Sequence, residues 1–339
     1  MSGAAATIEA WWRHFAATGT APADWRHVQS RLIRAVHCAD LDGRTVFVKT
    51  MTFPRAKDRL RYSVRPMPTA HEARLLRVLA RAGVRCPAVL VERSLRRFGL
   101  PLRAMLVLEG LHAEPADPGR DLAACAAMAL AMLRAGVVHR DLHFGNFLRL
   151  ADGSLAVIDL QSARLRAAPA DGRSERLAAA AWLLFSGGEA VRGRGEELVA
   201  AGLLADADEV AVAVALAERQ ATEWQRRRAL RCFDESTQFA VSWSPLGRTV
   251  KRRQVVAELR TARWRRGGAA LRAAWIGDQL RVEAGHAPQF VGLRTDWWRP
   301  AARHALLGPA ADEAFAAAVA DAHVAYRAAA ERLALPPVG

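Results

Sequence analysis

Three side chains in one short stretch carry the most legible chemistry of this sequence. Asp141 follows His139-Arg140, Asn146 stands five residues later, and Asp159 ends an apolar run thirteen residues beyond that. A carboxylate in a loop can orient a hydroxyl and take its proton. An amide oxygen and a second carboxylate are hard donors of the kind that hold a divalent cation against phosphate oxygens. Phosphoryl transfer needs both parts, since its catalysis is mostly positioning and charge stabilisation. Asp141 is the candidate for the first role, and Asn146 with Asp159 for the second.

These residues need elements to position them. An alanine- and leucine-rich helix over 117–136, stopped by Gly136, delivers the chain into VVHRD. After Asn146, FLRL, an Asp152-Gly153 turn and LAVIDL predict a hairpin, which brings Asn146 and Asp159 to neighbouring strand ends. Upstream, Arg31–Met51 predicts another hairpin around Asp42-Gly43, with Lys49 on its second strand. By itself a strand lysine is an ordinary solvated charge. Yet only three of the 49 basic residues are lysines, and a guanidinium does not replace a compact ammonium at a phosphate site. A helix is predicted over Ala70–Ala82, with Thr69 as N-cap and Gly83 as its stop. Glu72, Leu75, Leu76 and Leu79 share one face, so Glu72 can pair with Lys49 or close a capping box with Thr69. Two strands around Gly99-Leu100-Pro101 follow, the second ending at Glu109-Gly110.

The rest of the chain is read more coarsely. Residues 1–24 are a short helix (Ile8–Ala17) and a loop, with Trp11-Trp12 packed on the body or set at a membrane interface. From Ser174 to Phe233 the pattern is helical; Arg226-Arg227-Arg228 near the end of one helix suits the helix dipole or a phosphate. QFAVSW and RTVKRR predict a hairpin. Seven basic residues with Trp264 over Lys251–Arg266 form a stripe for anionic headgroups or an ordinary solvated helix. A loop with Trp297-Trp298 and a helix over Ala311–Leu333 close the chain. The stretch ALRAAWIGDQLRVEAGHAPQFVGL faintly echoes ARLLRVLARAGVRCPAVLV, without a second His-Arg-Asp.

Composition sets bounds. With 339 residues and 52% hydrophobic content the chain can bury a full core, and its longest apolar runs are too short to span a bilayer. The N-terminus MSGAAATIEAWW lacks a basic region followed by an apolar one, so a cytoplasmic chain is expected. Four scattered cysteines, Cys38, Cys86, Cys125 and Cys232, predict no disulfide. The net charge of +15 invites an anionic surface, while no nucleic-acid readout motif accompanies it.

HRDLHFGN, IDLQSARL, VFVKT and HEARLLRVLARAGVRCP together resemble the lipopolysaccharide kinases, the Kdo and heptose kinases of the WaaP/InaA type, over roughly residues 25–255. His139 through Asn146 fits the H-R-D-L-x-x-x-N signature of the wider protein-kinase-like superfamily. The resemblance implies an α+β, two-lobed protein-kinase-like fold: N-terminal helix and loop 1–24, β-rich N-lobe 25–110, mainly helical C-lobe 111–255, and a helical C-terminal extension over 256–339. It implies ATP and Mg2+ as cofactors and a glycan or glycolipid acceptor, with possible peripheral contact at the inner face of the cytoplasmic membrane. By the same resemblance Asp141 would act on the sugar hydroxyl, Asn146 and Asp159 would hold Mg2+, and Lys49, steadied by Glu72, would bind the α- and β-phosphates. Glu109 and Leu111 would offer backbone groups to adenine. Three departures stand out: HVQSRLIRA has no glycine where a phosphate-covering loop belongs, Asp159 is followed by Leu160-Gln161, and the segment before the helix at Ser174 is short. That short segment offers little platform for a peptide, which turns the acceptor from protein toward sugar. A protein or small-molecule kinase, and a nucleotide-binding pseudokinase at an anionic surface, are the alternative readings.

Overall fold

The computed structural model describes residues 3–31 and 33–230, then strands over 239–244, 247–252, 261–266, 269–276, 279–284 and 289–290. Cys232, Trp297-Trp298 and the expected helix Ala311–Leu333 lie outside the described residues. The chain divides into two units, Met1–Gln220 and Ala221–Gly339.

In the first unit a helix over Gly3–Thr18 (α1) precedes five strands: Arg26–Arg31 (β1), Arg34–Leu41 (β2), Arg44–Thr52 (β3), Val89–Arg97 (β4) and Leu100–Glu109 (β5). They form an antiparallel sheet in the order β1-β2-β3-β5-β4. Period-two alternation decides what each face carries. Val46, Val48, Met105 and Val107 point to one side, where Ile8, Trp11 and Phe15 of α1 cover them. Leu106 and Leu108 point to the other side and join the main core. Lys49, next to Val48, therefore faces away from α1. Trp11 packs edge-on against Trp25 at 5.6 Å and Trp12 packs against the same cluster, so the tryptophan pair belongs to the body.

Between β3 and β4 lie two helices, Ala56–Ser63 (α2) and Pro68–Arg81 (α3). The expected N-cap at Thr69 is corrected: Pro68, whose fixed φ suits the first helical position, starts α3 and Met67 is the N-cap. Thr69 lies inside the helix and its hydroxyl donates to Glu92 at 3.3 Å, which leaves Glu72 outside any capping box. Leu75, Leu76 and Leu79 are buried as the stripe predicts. The β4–β5 reversal falls at Phe98-Gly99, both with positive φ, one step before the Gly99-Leu100-Pro101 turn that was expected. Strand β1, which no alternation in RHVQSR announces, was missed. At the far end of β5, a Cβ on Gly110 would sit 2.5 Å from the Thr45 carbonyl, so only glycine permits the close approach that gives the Gly110 N–H bond to that oxygen.

A short strand, Ala113–Pro115 (β6), leads to the helix Pro118–Arg134 (α4), whose N-cap Asp117 accepts the Arg120 N–H at 2.8 Å. Leu122, Cys125, Ala126, Ala129 and Leu133 of α4 are buried in the main core. The two-residue strands Val137–Val138 (β7) and Arg164–Leu165 (β10) pair. They close residues 139–163 into one loop region containing the hairpin Phe147–Leu150 (β8) and Leu155–Val157 (β9). Helices Arg173–Gly187 (α5), Gly195–Ala200 (α6) and Ala207–Leu230 (α7) follow.

In the second unit Phe239–Ser244 (β11) and Gly247–Arg252 (β12) form the expected hairpin. Thr261–Arg266 (β13), Ala269–Ile276 (β14), Gln279–Ala284 (β15) and Gln289–Phe290 (β16) form a four-stranded antiparallel sheet. Helix was expected there, because alanine and arginine favour it. Pairing with neighbouring strands overrides that preference. The solvated-helix reading of 251–266 is corrected over its described residues, 251–252 and 261–266.

Candidate active site

Lys49 Nζ lies 2.6 Å from Glu72 Oε1 and 3.7 Å from Asp159 Oδ1. The lysine comes from the core strand β3, the glutamate from the inner face of α3, and the aspartate from the end of β9. Glu72 is fully buried, and its other oxygen accepts from Gln161 Nε2 at 3.0 Å. A buried carboxylate is tolerated only when its oxygens are satisfied, and here two donors from opposite sides do so. Sequence reasoning marked Gln161 only as the residue standing where a glycine belongs; no local pattern signals its bond to a residue 89 positions away.

His139 joins the two acidic residues through its ring. Nδ1 accepts the Asp141 N–H at 3.2 Å, which requires the proton on Nε2, and Nε2–H donates to the Asp159 carbonyl at 3.0 Å. Burial lowers the imidazole's pKa despite the carbonyl contact and the nearby carboxylates, which favours this neutral tautomer. Asp159 itself adopts left-handed φ 54, a conformation aspartate accepts at modest cost and which the His139 bond helps hold. Asn146 donates its amide to the Asp141 carbonyl at 2.7 Å. That bond fixes the amide plane and leaves Oδ1 as the acceptor. The Ile158 N–H bonds the Asn146 carbonyl at 2.8 Å, tying the two strand ends together.

A cleft of about 600 Å³ runs between sheet and helices. Lys49, Glu72, Asn146, Asp159 and Gln161 line it, with Glu109 and Leu111 at the end of β5. Val36, Phe47, Leu108 and Leu148 make apolar walls. The glycine-free β1–β2 hairpin covers it with Val28, Gln29 and Ser30 and brings in Arg34, a cation that sequence reasoning did not single out. His143 lines the cleft too. Asp141 is not among the residues that line it; it is exposed, and its carbonyl accepts the Asn146 amide at the cleft's edge. The arrangement can therefore take a polyphosphate on Lys49 and Arg34 and leave Asp141 for an acceptor. Among the described residues no cluster of three or more His, Cys, Asp or Glu could hold a metal. A pair of hard oxygen donors suits Mg2+, which fills its remaining positions with phosphate oxygens and water.

Beneath the site, Asp121 of α4 is fully buried and accepts from Arg120 Nε at 3.1 Å, from Arg149 Nε at 3.2 Å and from the Asp117 N–H at 2.9 Å. Arg149 Nη2 bonds it as well. Burial alone would raise this carboxyl, but the two guanidinium groups and the backbone N–H outweigh it and hold it well below the usual carboxylate range. Arg149 stands on β8, three residues after Asn146, so this cluster anchors the β8–β9 hairpin to α4.

A model of the lipopolysaccharide kinase (Kdo/WaaP) family matches residues 10–184, a span that includes Lys49, Glu72, Asp141, Asn146 and Asp159. A search of curated proteins finds no match. Among solved structures, WaaP in complex with acyl carrier protein is similar at 24% identity and TM-score 0.44, covering 58% of this chain and 88% of that one. The Rv3197–erythromycin complex from Mycobacterium tuberculosis is similar at 23% identity and TM-score 0.31, covering 42% of this chain and 47% of that one. The match across more than half of the sequence makes this chain a member of the lipopolysaccharide kinase (Kdo/WaaP) family, and so a kinase.

Proposed function

We propose that the chain transfers the γ-phosphate of ATP to a sugar hydroxyl of lipopolysaccharide, in its core or in the Kdo–lipid A region. The observation that carries this reading is the convergence of Lys49, Asn146 and Asp159 on one cleft inside the family-matched span. Lys49, steadied by Glu72, holds the α- and β-phosphates. Glu109 and Leu111 offer backbone groups to adenine between the apolar walls. Asn146 and Asp159 hold Mg2+, which when bound neutralises charge developing on the phosphate oxygens. Asp141, at the cleft's edge, orients the sugar hydroxyl and accepts its proton. The residues 160–172 between Asp159 and α5 hold only a 3-10 turn and the two-residue β10, which favours a glycan over a docked peptide. A cytoplasmic enzyme working peripherally at the membrane fits this acceptor; among the described residues no helix is long and apolar enough to cross one.

The test is transfer of label from γ-labelled ATP, with Mg2+, to purified core oligosaccharides and lipopolysaccharide. Label on the glycan supports the reading; label on protein alone, with none on any glycan, would sink it. Gln161 gives a second measurement. Losing a hydrogen bond to a charged group costs about 1.5–3 kcal/mol of stability, so Gln161→Leu should lower the stability by that order in a urea melt and raise KM for ATP through the displacement of Glu72, with a smaller change in kcat. An unchanged KM would remove Gln161 from the positioning of Glu72.

A further inference from the structure

The antiparallel order of the N-lobe sheet brings three chain reversals to one end. They are the β1–β2 turn after Arg31, the β3–α2–α3 connection after Thr52, and the β4–β5 turn at Phe98-Gly99. The three most exposed large apolar side chains among the described residues sit on these connections: Phe98 at 90%, Val64 at 84% and Leu60 at 68%. Leu60 and Val64 are one helical turn apart and share a face of α2 and its C-cap. Phe98 stands at the turn tip in left-handed φ 51. Arg61, Arg65, Arg96 and Arg97 are exposed on the same connections, and the Arg97 guanidinium lies 5.3 Å over the Phe98 ring. Among the described residues none of these four arginines meets a carboxylate, and Asp58, the acid on α2, is half-buried.

Apolar side chains this exposed stand in water at a cost unless another surface covers them. Cationic neighbours without acidic partners state what that surface is. Guanidinium groups at the level of phosphate oxygens, with aromatic and aliphatic groups reaching below them, match the anionic face of a phospholipid bilayer. We propose that this end of the N-lobe sheet is a membrane-docking surface, seated on anionic headgroups through Arg61, Arg65, Arg96 and Arg97, with Phe98, Leu60 and Val64 entering the interface. The surface adjoins the catalytic cleft, since Arg34 and Met51, register partners at this end of the sheet, both line it. Docking here presents the phosphate end of the cleft to molecules anchored in the bilayer. That consequence rests on the glycolipid reading above; the surface itself does not.

The experiment uses the full chain in co-sedimentation with vesicles of phosphatidylcholine alone or of phosphatidylcholine mixed with phosphatidylglycerol. Partition to the anionic vesicles should be about tenfold stronger or more, and should fall as salt is raised. Phe98→Asp with Leu60→Asp and Val64→Asp should lower that partition by about tenfold, and so should Arg61→Glu with Arg65→Glu and Arg97→Glu. Both variants should phosphorylate a lipid-free oligosaccharide as the wild type does, which shows that they fold. Equal partition to neutral vesicles, or partition unchanged in both variants, overturns the proposal. So does self-association that the variants abolish without any vesicle binding, which would assign the patch to a second copy of the chain. Vesicle binding without phosphorylation of any glycan overturns the acceptor reading and leaves the surface standing. Glycan phosphorylation without vesicle binding does the reverse.

Discussion

Asp141→Asn is expected to lower kcat by about 10²–10⁴-fold, the range for loss of a positioned general base, while the melting temperature stays where it is. The geometry separates the two effects. Asp141 holds the loop through its backbone, its carbonyl taking the Asn146 amide and its N–H meeting His139. The residue is exposed and its carboxylate has no described structural partner. Exchanging one oxygen for an NH2 group keeps shape and removes basicity. Because Asp141 is not among the residues that line the cleft, KM for ATP should move little. Steady-state kinetics with a glycan acceptor, beside a thermal melt, decides the matter. A variant within a few-fold of wild type would move the proton acceptor elsewhere, with His143 the next group in reach of the cleft.

Arg149→Met should destabilise the fold by about 3 kcal/mol, toward the low end for breaking a buried ion pair, because Arg120 remains on the same carboxylate. Asp121→Asn should cost less. The guanidinium groups it strands are 22% and 51% exposed and can turn to water, whereas Arg149→Met leaves a sealed anion short of donors. The pH dependence carries a definite sign. The Asp121 carboxyl is depressed in the folded state, so the stability it contributes is complete above the unfolded carboxyl's pKa of about 3.9 and is lost as pH falls toward the depressed folded value. Urea melts should give a difference between wild type and Arg149→Met that is constant from neutral pH down to about 5 and shrinks below about 4. A difference that grows in acid would contradict this account of the cluster. Arg149 of β8 stands three residues after Asn146, so on the proposed Mg2+ role of Asn146 the variant, measured well below its melting point, should also need more Mg2+ to reach half of its activity.

Much of the site was legible because its chemistry sits in short, ordered spacings. Asp141, Asn146 and Asp159 are separated by a loop and one hairpin, and hairpin ends meet by local geometry. Lys49 could be read as one of only three lysines, set on a predicted strand, and Glu72 from the apolar stripe on α3. Tertiary packing, however, was needed to choose between a capping box and an ion pair for Glu72, since TAHE satisfies both patterns and only Pro68 at the helix start with Lys49 across the cleft removes the first. Strand β1 was illegible for a related reason: it is held by pairing with β2, and its exposed, polar residues carry no period of their own.

The second unit fails differently. Segments such as TARWRR and AALRAAWI are good helix formers taken singly, and their strand state depends on partners elsewhere in the chain. Arg34 and Gln161 belong with these long-range decisions, one brought in by a hairpin without glycine, the other joined to Glu72 across the cleft. The sequence by itself carried the kinase resemblance, because His139 through Asn146 fits a short signature whose spacing is local and Lys49 and Asp159 stand in order around it. Only the tertiary structure decided how Glu72 is held, which residues line the cleft, and which end of the sheet carries exposed arginines and exposed apolar groups. Those outcomes depend on residues distant in sequence meeting in space, and no local period or spacing encodes such a meeting.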